Sequence, residues 1–324
     1  MPFIASNYKP PLFFANQHIQ TIFPANFRKI GSVKYTRERI ITPDDDFLDL
    51  DWSFVNSSKL TIVLHGYEGH SYRDHILGMI KAFNKRGWDG VAMNQRGCSG
   101  EPNRKIRSYH AGSSDDLDVV INHILKMNKY KQIALVGFSL GGNIVLKYLG
   151  ENEANLPSIL RNAACISVPC DLKTTSIRVS QNPIYYKYFI SKLYKKIRDK
   201  MTIMPDMVST GEFKIIKNLV DYDNIYTAPY NGFKDADDYY NQCSCIYFLN
   251  RISIPVLILN AKDDPFLTTA SFPIKEAQNS HILYLETPEH GGHTGFINFN
   301  KAKEYYSEQR VTEFIIGMFY EKLL

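Results

Sequence analysis

No stretch of the 324 residues approaches the roughly 20 consecutive apolar residues that a membrane-crossing helix requires. The opening segment MPFIASNYKPPLFFANQHIQ has no basic n-region leading into an apolar run, so export by the standard route is not expected, and the expected location is cytoplasmic. Cysteine is sparse: Cys98, Cys165, Cys170, Cys243 and Cys245 are odd in number and none belongs to a Cys-x-x-Cys pair, which disfavours a disulfide framework and fits a reducing compartment. Charge of one sign is not in large excess either. The 38 Lys and Arg against 33 Asp and Glu leave +5, spread too thinly to neutralise a phosphate backbone, so no nucleic-acid partner is expected. Internal repeats, low-complexity tracts and Gly/Ser linkers are missing, which argues against independently mobile domains.

What is present is core material, with 44% hydrophobic and 13% aromatic residues. After an aromatic, Pro-rich lead from Pro10 to Phe27, two strand-like runs between residues 33 and 54 flank the turn signal Thr42-Pro43-Asp44-Asp45, which predicts a hairpin. Short runs rich in β-branched residues then recur at Leu60–Leu64, Gly90–Met93, Ile133–Val136, Ala163–Val168, Val256–Leu259 and Ile282–Leu285, as buried parallel strands do. Helical spacing fills the intervals near Tyr72–Arg86, Ser114–Met127, Gly142–Leu149 and Thr268–Gln278, and again at Val311–Leu323. The alternation predicts a mostly parallel sheet of about eight strands, opened by an antiparallel hairpin and covered by helices on both faces. One interval breaks the rhythm, because more than eighty residues separate the strands near Val168 and Val256. Helical spacing at Tyr186, Phe189, Ile190, Leu193, Tyr194 and Ile197 predicts an inserted helical cap over 171–249, with 1–170 and 250–324 forming the core.

The chemistry centres on Gly137-Phe138-Ser139-Leu140-Gly141, a nucleophile-elbow pattern with a good strand before it and a good helix after it. A serine hydroxyl is a poor nucleophile until an imidazole takes its proton, and the imidazole needs a carboxylate to fix its tautomer. The strand Val256–Leu259 leads into Lys262-Asp263-Asp264-Pro265, and the last apolar run leads into Pro288-Glu289-His290-Gly291-Gly292-His293. The acid is therefore Asp263 or Asp264, and the base His290 or His293. His293 is preferred because a glycine pair before it lets the loop approach the serine. The negative oxygen formed in acyl transfer needs preorganised donors. The turn His65-Gly66-Tyr67-Glu68-Gly69 after the strand at Leu60–Leu64 is suited to present the backbone N–H of Tyr67, and the second donor should be the N–H of Leu140. His65 itself is expected to support this loop.

These residues, with Pro11-Leu12, His18-Ile19-Gln20-Thr21, Asn94-Gln95-Arg96-Gly97-Cys98-Ser99-Gly100, Tyr109-His110-Ala111-Gly112 and Asp115-Asp116-Leu117, resemble the YheT-like branch of the α/β-hydrolases over nearly the whole chain. That resemblance implies an α/β-hydrolase fold and a carboxylesterase, with eukaryotic relatives acting on acylglycerols and phospholipids. It also implies a triad of Ser139, Asp264 and His293, since in the corresponding turn of related hydrolases the residue before the proline holds the acid. Asp263 remains the alternative.

Other signals have plainer readings. His110 and Asp115 match an H-x4-D spacing used by some acyltransferases, yet Ser113 or Ser114 before acids and an apolar helix reads more simply as an N-cap. The histidines His65, His70 and His75, and the pair His290 and His293, lack the H-E-x-x-H spacing of a metal site, and no metal is expected. The loop Asn94–Gly100 lacks phosphate-cradling glycine spacing, so no cofactor is expected and Arg96 is assigned to a local ion pair. Between 187 and 200, Lys187, Lys192, Lys195, Lys196, Arg198 and Lys200 stand against Asp199 alone. Such a basic amphipathic helix is able to touch an anionic membrane surface weakly, although a solvated cap helix is the simpler reading. The expectation is a cofactor-free serine hydrolase of carboxylic esters with hydrophobic acyl groups. An acyltransferase using the same serine, or a silent binding protein on the same fold, are the alternatives. Oligomeric state is not encoded in any of these features.

Overall fold

The apolar runs become the interior of one sheet in this computed structural model, which describes residues 3–31, 33–206 and 208–320. Its strands are β1 (Phe3–Ile4), β2 (Thr36–Ile41), β3 (Phe47–Ser53), β4 (Lys59–Leu64), β5 (Asp89–Asn94), β6 (Gln132–Phe138), β7 (Leu160–Ile166), β8 (Val256–Leu259) and β9 (Leu283–Glu286). They lie in the order β1-β9-β8-β7-β6-β4-β5-β3-β2. Strand β3 pairs antiparallel with both β2 and β5, and the remaining pairs are parallel. The expected hairpin is β2–β3, closed by a turn in which Asp45 adopts φ +60° and its N–H donates to the Thr42 carbonyl at 2.9 Å. The described residues thus hold nine strands where about eight were expected. The extra one, β1, is two residues long and is held only by parallel pairing to β9, so it carries no periodicity for a sequence to show.

Because successive side chains of a strand point to opposite faces, the sheet divides the core in two. Ile62 and Leu64 join Leu135, Leu117, Val120, Ile144 and Val145 on one face. Val63 and Val136 join Ile76, Ile80, Phe83, Phe314 and Ile315 on the other. The covering helices are α2 (Asp74–Lys85), α3 (Ser114–Lys126), α4 (Leu140–Glu151) and α11 (Tyr306–Tyr320), with α1 (Gln17–Phe27) at the N-terminal end. Their buried residues follow the period of a helix packed on one side, as Ile76, Met79, Ile80 and Phe83 do in α2.

Some boundaries differ from expectation for local reasons. The N-terminal lead contains α1, because the Asn16 side chain accepts the N–H groups of His18 and Ile19 and starts a helix that the internal Pro24 obscures in sequence. The region Thr268–Gln278 divides at Pro273 into a 3₁₀ turn, Thr269–Ser271, and α10 (Ile274–Gln278). Helix α11 starts at Tyr306, ahead of Val311, and the expected end at 321–323 lies outside the described residues.

The interval between β7 and β8 contributes helices and no strand among the described residues: α5 (Leu172–Ser180), α6 (Pro183–Ile203), α7 (Leu219–Tyr222), α8 (Ala228–Tyr230) and α9 (Ala236–Cys243). A π-helical turn, Asp223–Thr227, joins α7 to α8. Helix α6 is capped by Asn182 with Pro183 in its first turn, and buries Tyr185, Ile190, Leu193 and Ile197. These pack with Leu219, Tyr222, Tyr226 and Phe266, and against Tyr67, in a third apolar cluster above the loops that follow β4 and β8. The basic stripe of α6 does not form one solvated face. Lys196 reaches Glu68 at 2.8 Å, and Lys200 donates to the carbonyls of Ile106 and Arg107 at 2.6 and 3.1 Å, so two of its six cations point inward. Helical spacing marks the apolar stripe but not the loop beneath it.

Candidate active site

Strand β4 lies between β5 and β6, and there the strand order reverses. Loops leaving the carboxyl ends of β4 and β6 therefore border one crevice, where open α/β sheets bind ligands. Ser139 sits at that point, between β6 and α4, with φ +53° and ψ −123°, a conformation few non-glycine residues adopt. The elbow has room for it because the residues two before and two after, Gly137 and Gly141, are glycines. A Cβ on Gly141 would stand 2.6 Å from the carbonyl oxygens of both Leu64 and His65.

Ser139 Oγ lies 2.9 Å from His293 Nε2, and His293 Nδ1 lies 2.9 and 3.2 Å from Asp264 Oδ2 and Oδ1. The Asp264 carboxylate is buried and also accepts the Phe266 N–H at 2.9 Å. An ionised carboxylate only accepts, so His293 carries its proton on Nδ1 and turns the Nε2 lone pair toward the hydroxyl. The Phe266 ring lies against the imidazole, with centroids 4.2 Å apart.

The other acid and histidine pair with each other. Asp263 accepts the Gly292 N–H at 2.9 Å and meets His290 Nδ1 at 3.2 Å, while His290 is substantially exposed. Of the four residues the sequence left in competition, the structure joins Asp264 and His293 to Ser139. Asp263 and His290 brace the neighbouring turn. Gly292 has φ +54°, and a Cβ there would stand 2.6 Å from the Gln17 carbonyl, so the histidine loop folds tightly against α1. Thr21 of α1 accepts the His293 N–H through Oγ1 at 2.9 Å, and Ser167 Oγ accepts the Thr294 N–H at 2.9 Å. Neither contact has a sequence signal, because each joins loops far apart in the chain.

The residues expected to supply the oxyanion donors, Tyr67 and Leu140, border the same small chamber as Ser139. Leu140 is the first residue of α4, where the N–H has no acceptor within the helix. Tyr67 follows Gly66, whose Cβ position would be 2.9 Å from Ser139 Cβ, so the β4 loop abuts Ser139. His65 supports that loop. Its Nε2 accepts the Gln95 N–H at 3.2 Å, which leaves Nδ1 to donate to the Gly66 carbonyl at 2.8 Å, and burial lowers its pKa to about 4. Glu68, at φ +53°, holds the other side of the loop. Its carboxylate accepts from Tyr109 Oη at 2.7 Å and from Lys196 at 2.8 Å. Burial works to raise the Glu68 pKa, but the Lys196 ammonium and these hydrogen bonds bring it below the usual range. The sequence offered no sign of this clamp.

Other singled-out residues lie elsewhere. Arg96 is buried in an ion-pair cluster with Asp116, Asp44 and Asp46, at 2.8, 2.7 and 3.1 Å. His110 accepts the Gly112 N–H, and burial lowers its pKa to about 3, while Asp115 pairs with Arg107 at 2.6 Å. The H-x4-D spacing therefore makes no hydrogen-bonded pair. Ser113 stands at the N-cap of α3, but its hydroxyl accepts the His110 N–H instead of a helix N–H.

A cavity of about 530 Å³ opens over Ser139 and His293; Ile22, Ile184, Tyr188 and Phe189 line it, with Arg73 and Lys192 also in its wall. A larger opening of about 840 Å³, beside Arg28 and Glu308, contains none of the residues just described.

Residues 60–201 match the model of a family described as alpha/beta hydrolase fold. The chain is 36% identical to the candidate esterase YheT of Escherichia coli (strain K12), over 90% of this chain and 88% of that one. It is 28% identical to human phospholipase ABHD3 and 27% identical to human monoacylglycerol lipase ABHD2, each over 91% of this chain and 75% of the relative. Among solved structures it resembles the Pyrococcus furiosus esterase PF2001, with a TM-score of 0.59 and 19% identity over 89% of this chain and 94% of that one, which speaks to the fold alone.

Proposed function

The chain belongs to the YheT-like α/β hydrolases and is a carboxylic ester hydrolase, and from that premise we propose that it cleaves hydrophobic esters through an acyl-enzyme on Ser139. The observation that carries this reading is the continuous hydrogen-bonded line from Ser139 through His293 to Asp264. His293 Nε2 takes the hydroxyl proton as Ser139 Oγ bonds to the ester carbonyl carbon. The oxygen, now negative, is held by the N–H groups of Tyr67 and Leu140. As the intermediate collapses, the bond to the leaving oxygen breaks and that oxygen takes the proton from His293. Water, deprotonated by the same imidazole, then releases the acid and restores Ser139. Asp264 keeps His293 in the required tautomer and stabilises its protonated form throughout.

The aromatic and aliphatic lining of the open cavity favours a hydrophobic ester over a sugar or peptide. Residues 171–249 act in this reading as a cap that supplies much of that lining. The five cysteines are unpaired, and no described helix is long and apolar enough to cross a membrane. Unpaired cysteines fit the reducing compartment of a cytoplasmic enzyme. Ser139→Ala tests the assignment: it should abolish fluorophosphonate labelling and ester turnover while leaving the unfolding midpoint nearly unchanged, since it removes one oxygen and opens no large cavity. Labelling that persists at another serine refutes it.

A further inference from the structure

Two chambers meet at Ser139. The larger, of about 530 Å³, is lined by His293 and Thr294 with Ile22, Ile184 and Tyr188. The smaller, of about 80 Å³, lies beside Leu140 among Leu172, Val179, Leu219, Asp223 and Tyr240, and His293 takes no part in it. Phe189 and Phe266 border both.

The chemistry distinguishes the two halves of an ester. The leaving oxygen must depart toward the imidazole that protonates it, whereas the acyl chain stays bonded to Ser139 Oγ. The alcohol portion therefore belongs in the chamber that contains His293, and the acyl chain must turn into the other. We propose that the smaller chamber is the acyl site and that the enzyme prefers short-chain acyl esters of large hydrophobic alcohols. This refinement rests on the serine-hydrolase reading above. A cavity of about 150 Å³ holds benzene, so the smaller chamber accepts about three carbons beyond the carbonyl. Its wall is not free to retreat. Asp223 begins the π-helical turn, and its carboxylate accepts Thr227 Oγ1 and Tyr240 Oη, each at 2.6 Å. Leu172, Val179, Leu219 and Tyr240 are buried beside it. A longer chain has to break this packing or leave its terminal carbons outside.

The test compares octyl acetate with methyl nonanoate, isomers of equal hydrophobic content that place the long chain on opposite sides of the ester. Octyl acetate should show at least about tenfold higher kcat/KM. Among methyl esters the rate should rise by about fourfold per added carbon while the chain fits, then fall beyond the butanoate. Leu219→Ala should raise the ratio of methyl hexanoate to methyl acetate turnover by about fivefold or more, within the gain that two further buried methylenes supply. A ratio within one sample does not depend on the fraction folded. Equal or faster hydrolysis of methyl nonanoate, with Ser139 still labelled by a fluorophosphonate, overturns the chamber assignment alone. A protein that is unlabelled and inert on both esters overturns the serine-hydrolase reading from which it starts.

Discussion

Replacing Lys196 with methionine tests whether α6 holds the loop after β4, proposed above to supply an oxyanion donor, in place. Lys196 contacts Glu68 at 2.8 Å and Cys98 Sγ at 3.2 Å, and lies 4.3 Å from the centre of the Tyr109 ring. Its side chain is 17% exposed and that of Glu68 8%, so little water remains to solvate a carboxylate left alone. Removing one partner of a buried pair costs about 3 to 5 kcal/mol, chiefly because the other charge stays behind unpaired. The residual exposure places the expected loss near the lower end, at about 3 kcal/mol at neutral pH. Glu68 directly follows Tyr67, and losing one oxyanion donor outright lowers kcat by about 10²–10³-fold. A donor displaced but still present should cost about tenfold to a hundredfold. In the parent, the Glu68 pKa is depressed, so the pair's contribution is complete above the unfolded carboxyl value and lost as pH falls through the lower folded value. In Lys196→Met the largest opposition to burial is lost, only the Tyr109 hydrogen bond and the Lys192 charge remaining, and that pKa rises. Glu68 then penalises folding above the unfolded value and ceases to do so below it. The stability gap between parent and variant should therefore narrow as the pH falls from 7 toward 4, and adding Glu68→Gln should recover part of the loss at pH 7. Urea midpoints across pH and kcat on a short-chain p-nitrophenyl ester read both effects. A variant as stable as the parent at pH 7, with unchanged kcat, refutes the clamp.

Asp264→Asn should leave His293 in the wrong tautomer and lower kcat by up to about 10⁴-fold, whereas Asp263→Asn should cost far less; a reversed order of the two losses assigns the acid to Asp263. Lys187 and Lys195 are the exposed lysines of α6, since Lys196 and Lys200 are engaged inside and Lys192 borders the cavity over Ser139. Replacing both with glutamine should change neither turnover of soluble short-chain esters nor the slight binding expected to anionic vesicles, because each lost charge is worth only about 1 kcal/mol near such a surface. Strong, salt-sensitive vesicle binding by the parent, lost in the double variant, makes this an interfacial enzyme instead.

The features legible in sequence are those whose cause is local. Strands buried on both faces must be continuously apolar, which exposes β4, β6, β7 and β8 as short runs. The elbow needs glycines within two residues of Ser139 because its backbone turns within that span, so Ser139 is visible in a motif. The order of serine, acid and histidine follows from which strand ends reach the crevice. By contrast, Asp263 and Asp264 have the same chemistry and adjacent positions, and only the fold turns one carboxylate to His293 and the other to His290 and the Gly292 N–H. The inward course of Lys196, the support of His293 by Thr21 and the division of the crevice into two chambers likewise depend on contacts between distant segments. Sequence periodicity specifies which face of an element is apolar. Which partner meets that face, and which way a single polar side chain turns to find its hydrogen bonds, is decided only when segments distant in the chain exclude water from between them.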